Sequence, residues 1–182
     1  MDFETILQII YFLVPIAFAN MSPVLVKKYF SSLAKPLDFN KTFLGERIFG
    51  DHKTWRGLLF GIIGGILGAY LQFFLSNTSF FKELSLVNFQ TINVLAYGFL
   101  TGLGVIIGDT FGSFLKRRFK IPPGASFIPF DQIVAPLGAI LFLLPLYKIS
   151  FEYFLIALLI SFFCHILIKW IGYSLKIEKE KW

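Results

Sequence analysis

Long uncharged stretches alternate with short polar segments along the chain, and five of these stretches approach the length of a membrane span. The first, from Ile6 to Val26, contains Pro15 and Pro23. A helix needs about 20 apolar residues to cross a bilayer, and proline kinks it, so this stretch predicts a bent first span. Gly57 to Phe81 and Leu84 to Gly108 predict spans two and three, with Asn77-Thr78-Ser79 marking the turn between them. Gln132 to Tyr147 and Tyr153 to Ile168 are shorter. They predict spans four and five, with Lys148 and Lys169 reaching toward the interface. The expected fold is an all-α integral membrane protein with five transmembrane helices. The whole chain, 1–182, forms one multi-pass domain, and loops at about 31–56 and 114–130 form its site.

Composition agrees with the pattern. Hydrophobic residues make up 56% and charged residues 15%, against roughly 25% charge in a soluble domain, and mean hydropathy is +0.72. Spans two and three repeat glycine about every fourth residue, at Gly57, Gly61, Gly64, Gly65 and Gly68 and at Gly98, Gly102, Gly104, Gly108 and Gly112. Such faces allow backbones to approach closely, so the two spans are expected to pack tightly, within a protomer or across a homodimer.

Charge sets the orientation. Of 17 Lys and Arg, all but Lys82 and Lys148 fall between Lys27 and Arg56, between Lys116 and Lys120, or between Lys169 and Lys181. By the positive-inside rule those segments are cytoplasmic, the N-terminus is outside and the C-terminus inside. The first span lacks the basic leader and small-residue cleavage site of a signal peptide, so it is expected to be retained. The net charge of +6 thus reports topology and an anionic substrate. No soluble basic domain or nucleic-acid motif accompanies it, so no nucleic-acid partner is expected.

One Cys and two His rule out a disulfide scaffold and disfavour zinc. Cys164 and His165 are neighbours on a helix and project about 100° apart. Cys164 reads as a small core residue and His165 as a hydrogen-bonded polar group inside the membrane.

The candidate chemistry lies in Gly108 to Gln132, GDTFGSFLKRRFKIPPGASFIPFDQ. An ionisable residue in or beside a span is costly, and points to function. If Asp109 to Arg117 is helical, Asp109, Ser113 and Lys116 share a stripe that Arg117 borders. Asp131 stands beyond a Pro-Pro-Gly turn. Two carboxylates supply the hard oxygen ligands that Mg²⁺ takes, and neighbouring Lys and Arg neutralise polyphosphate. The loop from Lys35 to Arg56 adds Lys41, Arg47, Lys53 and Arg56, and its apolar residues suit an interfacial position with Trp55 at headgroup level.

These residues carry a resemblance. His52-Lys53-Thr54-Trp55-Arg56-Gly57, Gly108-Asp109, Ser113, Lys116-Arg117 and Ile128-Pro129 before Asp131 resemble the CTP-dependent phosphatidate cytidylyltransferase superfamily. The short form with GDHKTWRG and GDxxxSFxKRR looks like its archaeal branch, the CDP-archaeol synthases. Arg56 replaces the usual glutamate, and the terminal D-R-x-D motif reads Asp131-Gln132-Ile133-Val134, so any second metal needs ligands elsewhere. The resemblance implies transfer of a cytidylyl group from CTP to an isoprenoid-ether lipid phosphate in the bilayer. It implies Mg²⁺ on Asp109 and Asp131, with Lys116 and Arg117 catalytic. Lys41, Lys53, Thr54, Arg56, Ser113, Arg118 and Gln132 would bind nucleotide and phosphates, and Thr110 would be a further secondary ligand.

Two other readings use the same residues. A CTP-dependent polyprenol or phytol kinase would share the membrane and the cations but transfer a different phosphoryl group. A transporter would use Asp109 and Asp131 as an ion relay, which carboxylates at span ends beside cations disfavour.

Overall fold

The computed structural model describes residues 2–122 and 125–174. Most of the predicted Pro-Pro-Gly turn and the lysines after residue 174 lie outside the described residues. The chain is mostly helical. Helices α1 (Phe3–Phe12) and α2 (Val14–Leu25) lead to a folded loop holding the two-stranded hairpin β1 (Thr42–Phe43) and β2 (Glu46–Arg47). Then follow α3 (Trp55–Leu75), the short α4 (Ser79–Leu84), α5 (Val94–Arg118), α6 (Phe130–Leu143) and α7 (Phe151–Ser174).

The predicted kink falls at Leu13, where α1 and α2 meet at 40°. Pro15 lies in the first turn of α2, where its missing N–H removes no helical hydrogen bond. The bent pair qualifies as one broken span, and α3, α5 and α7 are each long and apolar enough to cross a membrane. At 14 residues, α6 is about 21 Å long, against a hydrocarbon core of about 30 Å. It therefore falls short of the expected fourth span on its own length.

The third span begins later than predicted. Residues 85–93 are irregular, with Val87 and Phe89 buried, and α5 starts only where the Asn93 side chain accepts from the Ala96 N–H at 3.0 Å. At its other end α5 continues through Lys116, Arg117 and Arg118, whose charges complement the helix C-terminus. Asp109 consequently lies more than two turns inside α5, whereas the sequence placed it at a span's end. A hydroxyl opens α3, Thr54 accepting from the Gly57 N–H at 3.2 Å.

The glycine faces are used within the protomer. A Cβ on Gly65 would sit 2.6 Å from the backbone nitrogen of Gly102, so α3 and α5 touch main chain to main chain. One on Gly104 would sit 2.6 Å from the Gly138 carbonyl oxygen, and α6 is held against α5 the same way. Helix α5 is thus clasped between α3 and α6, and α2 covers α3 at Gly64 and Gly68. The buried residues Ile9, Phe12, Ile16, Tyr97, Val105 and Ile140 belong to one apolar core around this stack. Outward faces of α3, α5 and α7 expose Leu59, Leu67, Phe99, Leu159 and Phe163, as a lipid-facing surface should.

Candidate active site

Residues 26–54 close one end of the helix stack, and a single buried carboxylate organises them. Asp38 accepts from the backbone N–H groups of Asn40 (3.1 Å), Phe49 (3.1 Å) and Gly50 (3.0 Å), and from Arg47 at 2.7 and 3.2 Å. Burial alone would raise its pKa, but Arg47 and these N–H groups outweigh burial and hold the carboxyl well below the usual range. Arg47 also pairs with Asp51 at 2.8 Å. Arg118, at the end of α5, donates to the carbonyls of Phe43, Glu46 and Arg47 and stacks over the rings of Phe43 and Phe114. The hairpin is thereby pinned to α5.

The pinned loop delivers Lys53 into the stack. Its ammonium is hydrogen-bonded to the Asp109 carboxylate. Around this pair lies a cleft of about 380 Å³ lined by Lys27, His52, Thr54, Arg56 and Thr110 among others. A second pair of the same kind spans the helix ends. Lys116 on α5 donates to Asp131 in the first turn of α6 at 2.8 Å, and the Phe127 N–H donates to the same oxygen at 2.9 Å.

The stripe predicted on α5 is helical throughout, so Asp109, Ser113 and Lys116 share a face. Beside it, Thr110 Oγ1 and Arg117 Nε are buried without a hydrogen-bond partner, and Arg117 is only 9% exposed. Residues seven apart on a helix lie about 10 Å apart on one side. Among the described residues no carboxylate pairs with Arg117; a buried cation left so is costly unless an anion arrives, and the open hydroxyl two turns away is a further polar contact for it.

Some candidates are placed elsewhere. Arg118 has its donors committed to the hairpin, although its Nε is unpartnered. The Arg56 guanidinium donates to the carbonyls of Lys27 (2.8 Å) and Tyr29 (3.1 Å) at the end of α2, while its side chain still lines the cleft. Lys41 is exposed on the loop. Gln132 is buried but lines a different groove, between α2, α6 and α7. Cys164 is exposed on α7 rather than in the core, and His165, expected to be hydrogen-bonded, makes no hydrogen bond to a described residue. Sequence reasoning missed Asp38; its signal was the Asp38-Phe39-Asn40 spacing, in which an Asp side chain caps the N–H two residues on.

Among the described residues no three His, Cys, Asp or Glu side chains cluster as a metal cage. The carboxylates present, Asp109 and Asp131, are each held by a lysine, and Mg²⁺ sites in general use one or two carboxylates together with phosphate oxygens and water.

The family described as CarS-like, CDP-archaeol synthase, matches residues 3–182. The chain belongs to this family. It is 36% identical to the CDP-archaeol synthase of Archaeoglobus fulgidus over 98% of this chain and 99% of that protein. It is 37% identical to that of Pyrobaculum islandicum over 90% and 91%, and 34% identical to that of Pyrococcus furiosus over 97% and 98%. A solved structure described as "Structural insight into an intramembrane enzyme for archaeal membrane lipids biosynthesis" is similar with a TM-score of 0.70. It is 26% identical over 87% of this chain and 90% of that one. The motif-bearing segments, Lys53 to Gly57 and Gly108 to Asp131, lie within the family match. The family match and these apolar helices make this a membrane protein of archaeal lipid biosynthesis.

Proposed function

We propose that this chain transfers the cytidylyl group of CTP to 2,3-bis-O-geranylgeranyl-sn-glycerol 1-phosphate, an isoprenoid-ether lipid phosphate, giving CDP-archaeol and pyrophosphate. The observation that carries the reading is the excess of cations around two carboxylates: Lys53 and Lys116 are paired, while among the described residues no carboxylate pairs with the buried Arg117. Such a site is incomplete until a polyanion enters.

The acceptor is a phosphate monoester with a second pKa near 6, so at neutral pH it is largely ionised and needs no strong base. Its oxygen attacks the α-phosphorus of CTP, the bond to the bridging oxygen of the β-phosphate breaks, and pyrophosphate leaves with that electron pair. Positioning and charge neutralisation are then the main tasks of the protein. Asp109 and Asp131 would hold Mg²⁺, which when bound supplies a counter-charge to the triphosphate. Lys53 and Lys116, which stand against those carboxylates, would supply cations to the phosphate oxygens. Arg117 adds a fixed charge, and Thr54, Thr110 and Ser113 offer hydroxyls. Arg56 lines the cleft, while Lys41 is exposed on the loop that carries Lys53. Arg118 and Asp38 act through the loop, by holding Lys53 in place.

The cation-rich end faces the cytoplasm, where CTP is found, which agrees with the distribution of Lys and Arg. Purified protein supplied with CTP, Mg²⁺ and the lipid phosphate should release pyrophosphate and CDP-lipid in equal amounts. Pyrophosphate release that does not depend on the lipid would refute the reading.

A further inference from the structure

The kink between α1 and α2 frees a backbone carbonyl inside the apolar core. The last carbonyls of a helix lack donors from their own helix, and Pro15, four residues after Tyr11, has no N–H to offer the Tyr11 carbonyl. In a hydrocarbon interior such a group needs a donor from a neighbouring helix. Gln72 supplies it. This is the one amide side chain of α3, it is 2% exposed, and its Nε2 donates to the Tyr11 carbonyl.

The bond also fixes where the bent span lies. One turn before Gln72, a Cβ on Gly68 would sit 2.7 Å from the Cα of Pro15, so the start of α2 is seated directly on α3. Helix α1 is held more loosely. Gln8 donates to the Glu83 carbonyl at 3.0 Å, and the ring of Phe12 lies 5.9 Å from that of Tyr147. Gln72 ties the last turn of α1 to the face of α3 that seats Pro15, and the two contacts together set the 40° bend.

That bend shapes the groove between the first span, α6 and α7. Ile10, Leu13, Val14 and Ala17, from both sides of the kink, form its wall, and Asn20 lines both the groove and the cleft around Lys53. The groove is therefore the bilayer side of the reaction space. At 10 residues, α1 is about 15 Å long, and a change of about 10° in the bend swings its far end by about 3 Å. Such a swing moves α1 against α7, which it touches. We propose that Gln72 is a positioning residue for the lipid acceptor: by capping the Tyr11 carbonyl it holds the bend that admits the acceptor, about 25 Å along α3 from the turn that lines the cleft. The proposal rests on the reaction assigned above.

Spin labels at Phe3→Cys and Phe151→Cys, both exposed positions, in a Cys164→Ala background report the distance between α1 and α7 in nanodiscs. Gln72→Leu should broaden that distance distribution and lower the apparent Tm. In the otherwise native protein it should raise the KM for the isoprenoid-ether lipid phosphate about tenfold, the factor given by about 1.4 kcal/mol, with kcat and the KM for CTP unchanged. Adding Pro15→Ala separates position from stability. An alanine N–H can serve the Tyr11 carbonyl within a straighter helix, so Pro15→Ala with Gln72→Leu should recover the Tm while the lipid KM stays raised. Recovery of both would reduce Gln72 to a structural role, and a native lipid KM in Gln72→Leu would equally overturn the proposal. If the wild-type protein makes no CDP-lipid, the reaction assigned above fails, and the distance distribution alone decides: broadening in Gln72→Leu supports control of the bend by Gln72, and an unchanged distribution refutes it.

Discussion

Lys53, in the loop ahead of α3, donates to the carboxylate of Asp109 deep within α5. A cation from a folded loop thus occupies a carboxylate that the proposed chemistry assigns to a metal. An ammonium on one oxygen of Asp109 repels a divalent cation from the other, so the ion pair should compete with divalent cations. Replacing Lys53 with Ala should strengthen binding of Mn²⁺, read by its electron paramagnetic resonance signal without nucleotide, while weakening CTP binding. Unchanged Mn²⁺ affinity would show that the pair imposes no competition.

The carboxylates themselves give a sharper outcome. Asp109→Asn and Asp131→Asn remove a charge at nearly constant volume. Each should lower turnover by at least about a hundredfold, in line with losses of electrostatic stabilisation elsewhere, while the protein elutes unchanged from a sizing column in detergent. Near-native turnover at limiting Mg²⁺ would remove that residue from the metal.

Asp38 should govern the loop and, through it, Lys53. Its pKa is depressed in the folded protein, so its stabilising contribution is present above the ordinary Asp value of about 3.9. That contribution is lost only as pH falls through the depressed folded value. The loop should therefore stay protected from amide exchange on acidification to about pH 4. Asp38→Ala leaves Arg47 and three N–H groups without their acceptor and should cost about 3 kcal/mol. Exchange in residues 36–54 should accelerate, and the KM for CTP should rise more than kcat falls. Unchanged exchange there would refute the role.

The close contacts of α5 make a packing prediction. Gly104→Val would drive a branched side chain into the backbone of α6; overpacking of this kind costs about 1–3 kcal/mol or more. The apparent Tm in detergent should fall by several degrees, whereas Leu67→Val on the lipid-exposed face of α3 should change it little.

How much of this the sequence disclosed depends on which forces act locally. The kink at Leu13 followed from Pro15, and the apolar stretches of α3 and α7 showed as uncharged runs. The start of α5 was misplaced because Leu84 to Asn93 carries no charge, and hydropathy does not separate a buried irregular segment from a helix. Ser85, Asn88 and Asn93 were the available turn and cap signals. In the candidate site, the helical stripe of Asp109, Ser113 and Lys116 was readable from 3.6-residue periodicity. The partners of Arg118 and Arg56 were not, because backbone carbonyls 71 to 75 and 27 to 29 residues away become acceptors only when the loop folds. Gln132 turned to another groove because it sits about 100° around α6 from Asp131.

The fate of the phosphorus atoms of CTP tests the central claim most directly. Protein in vesicles, given Mg²⁺ and the isoprenoid-ether lipid phosphate, receives CTP radiolabelled at either the α- or the γ-phosphorus. The account predicts that α-label enters the organic phase as CDP-lipid, that γ-label remains in water as pyrophosphate, and that EDTA stops both. Transfer of γ-label to lipid with CDP left behind would make the protein a kinase, and no transfer of either label would contradict an enzymatic role.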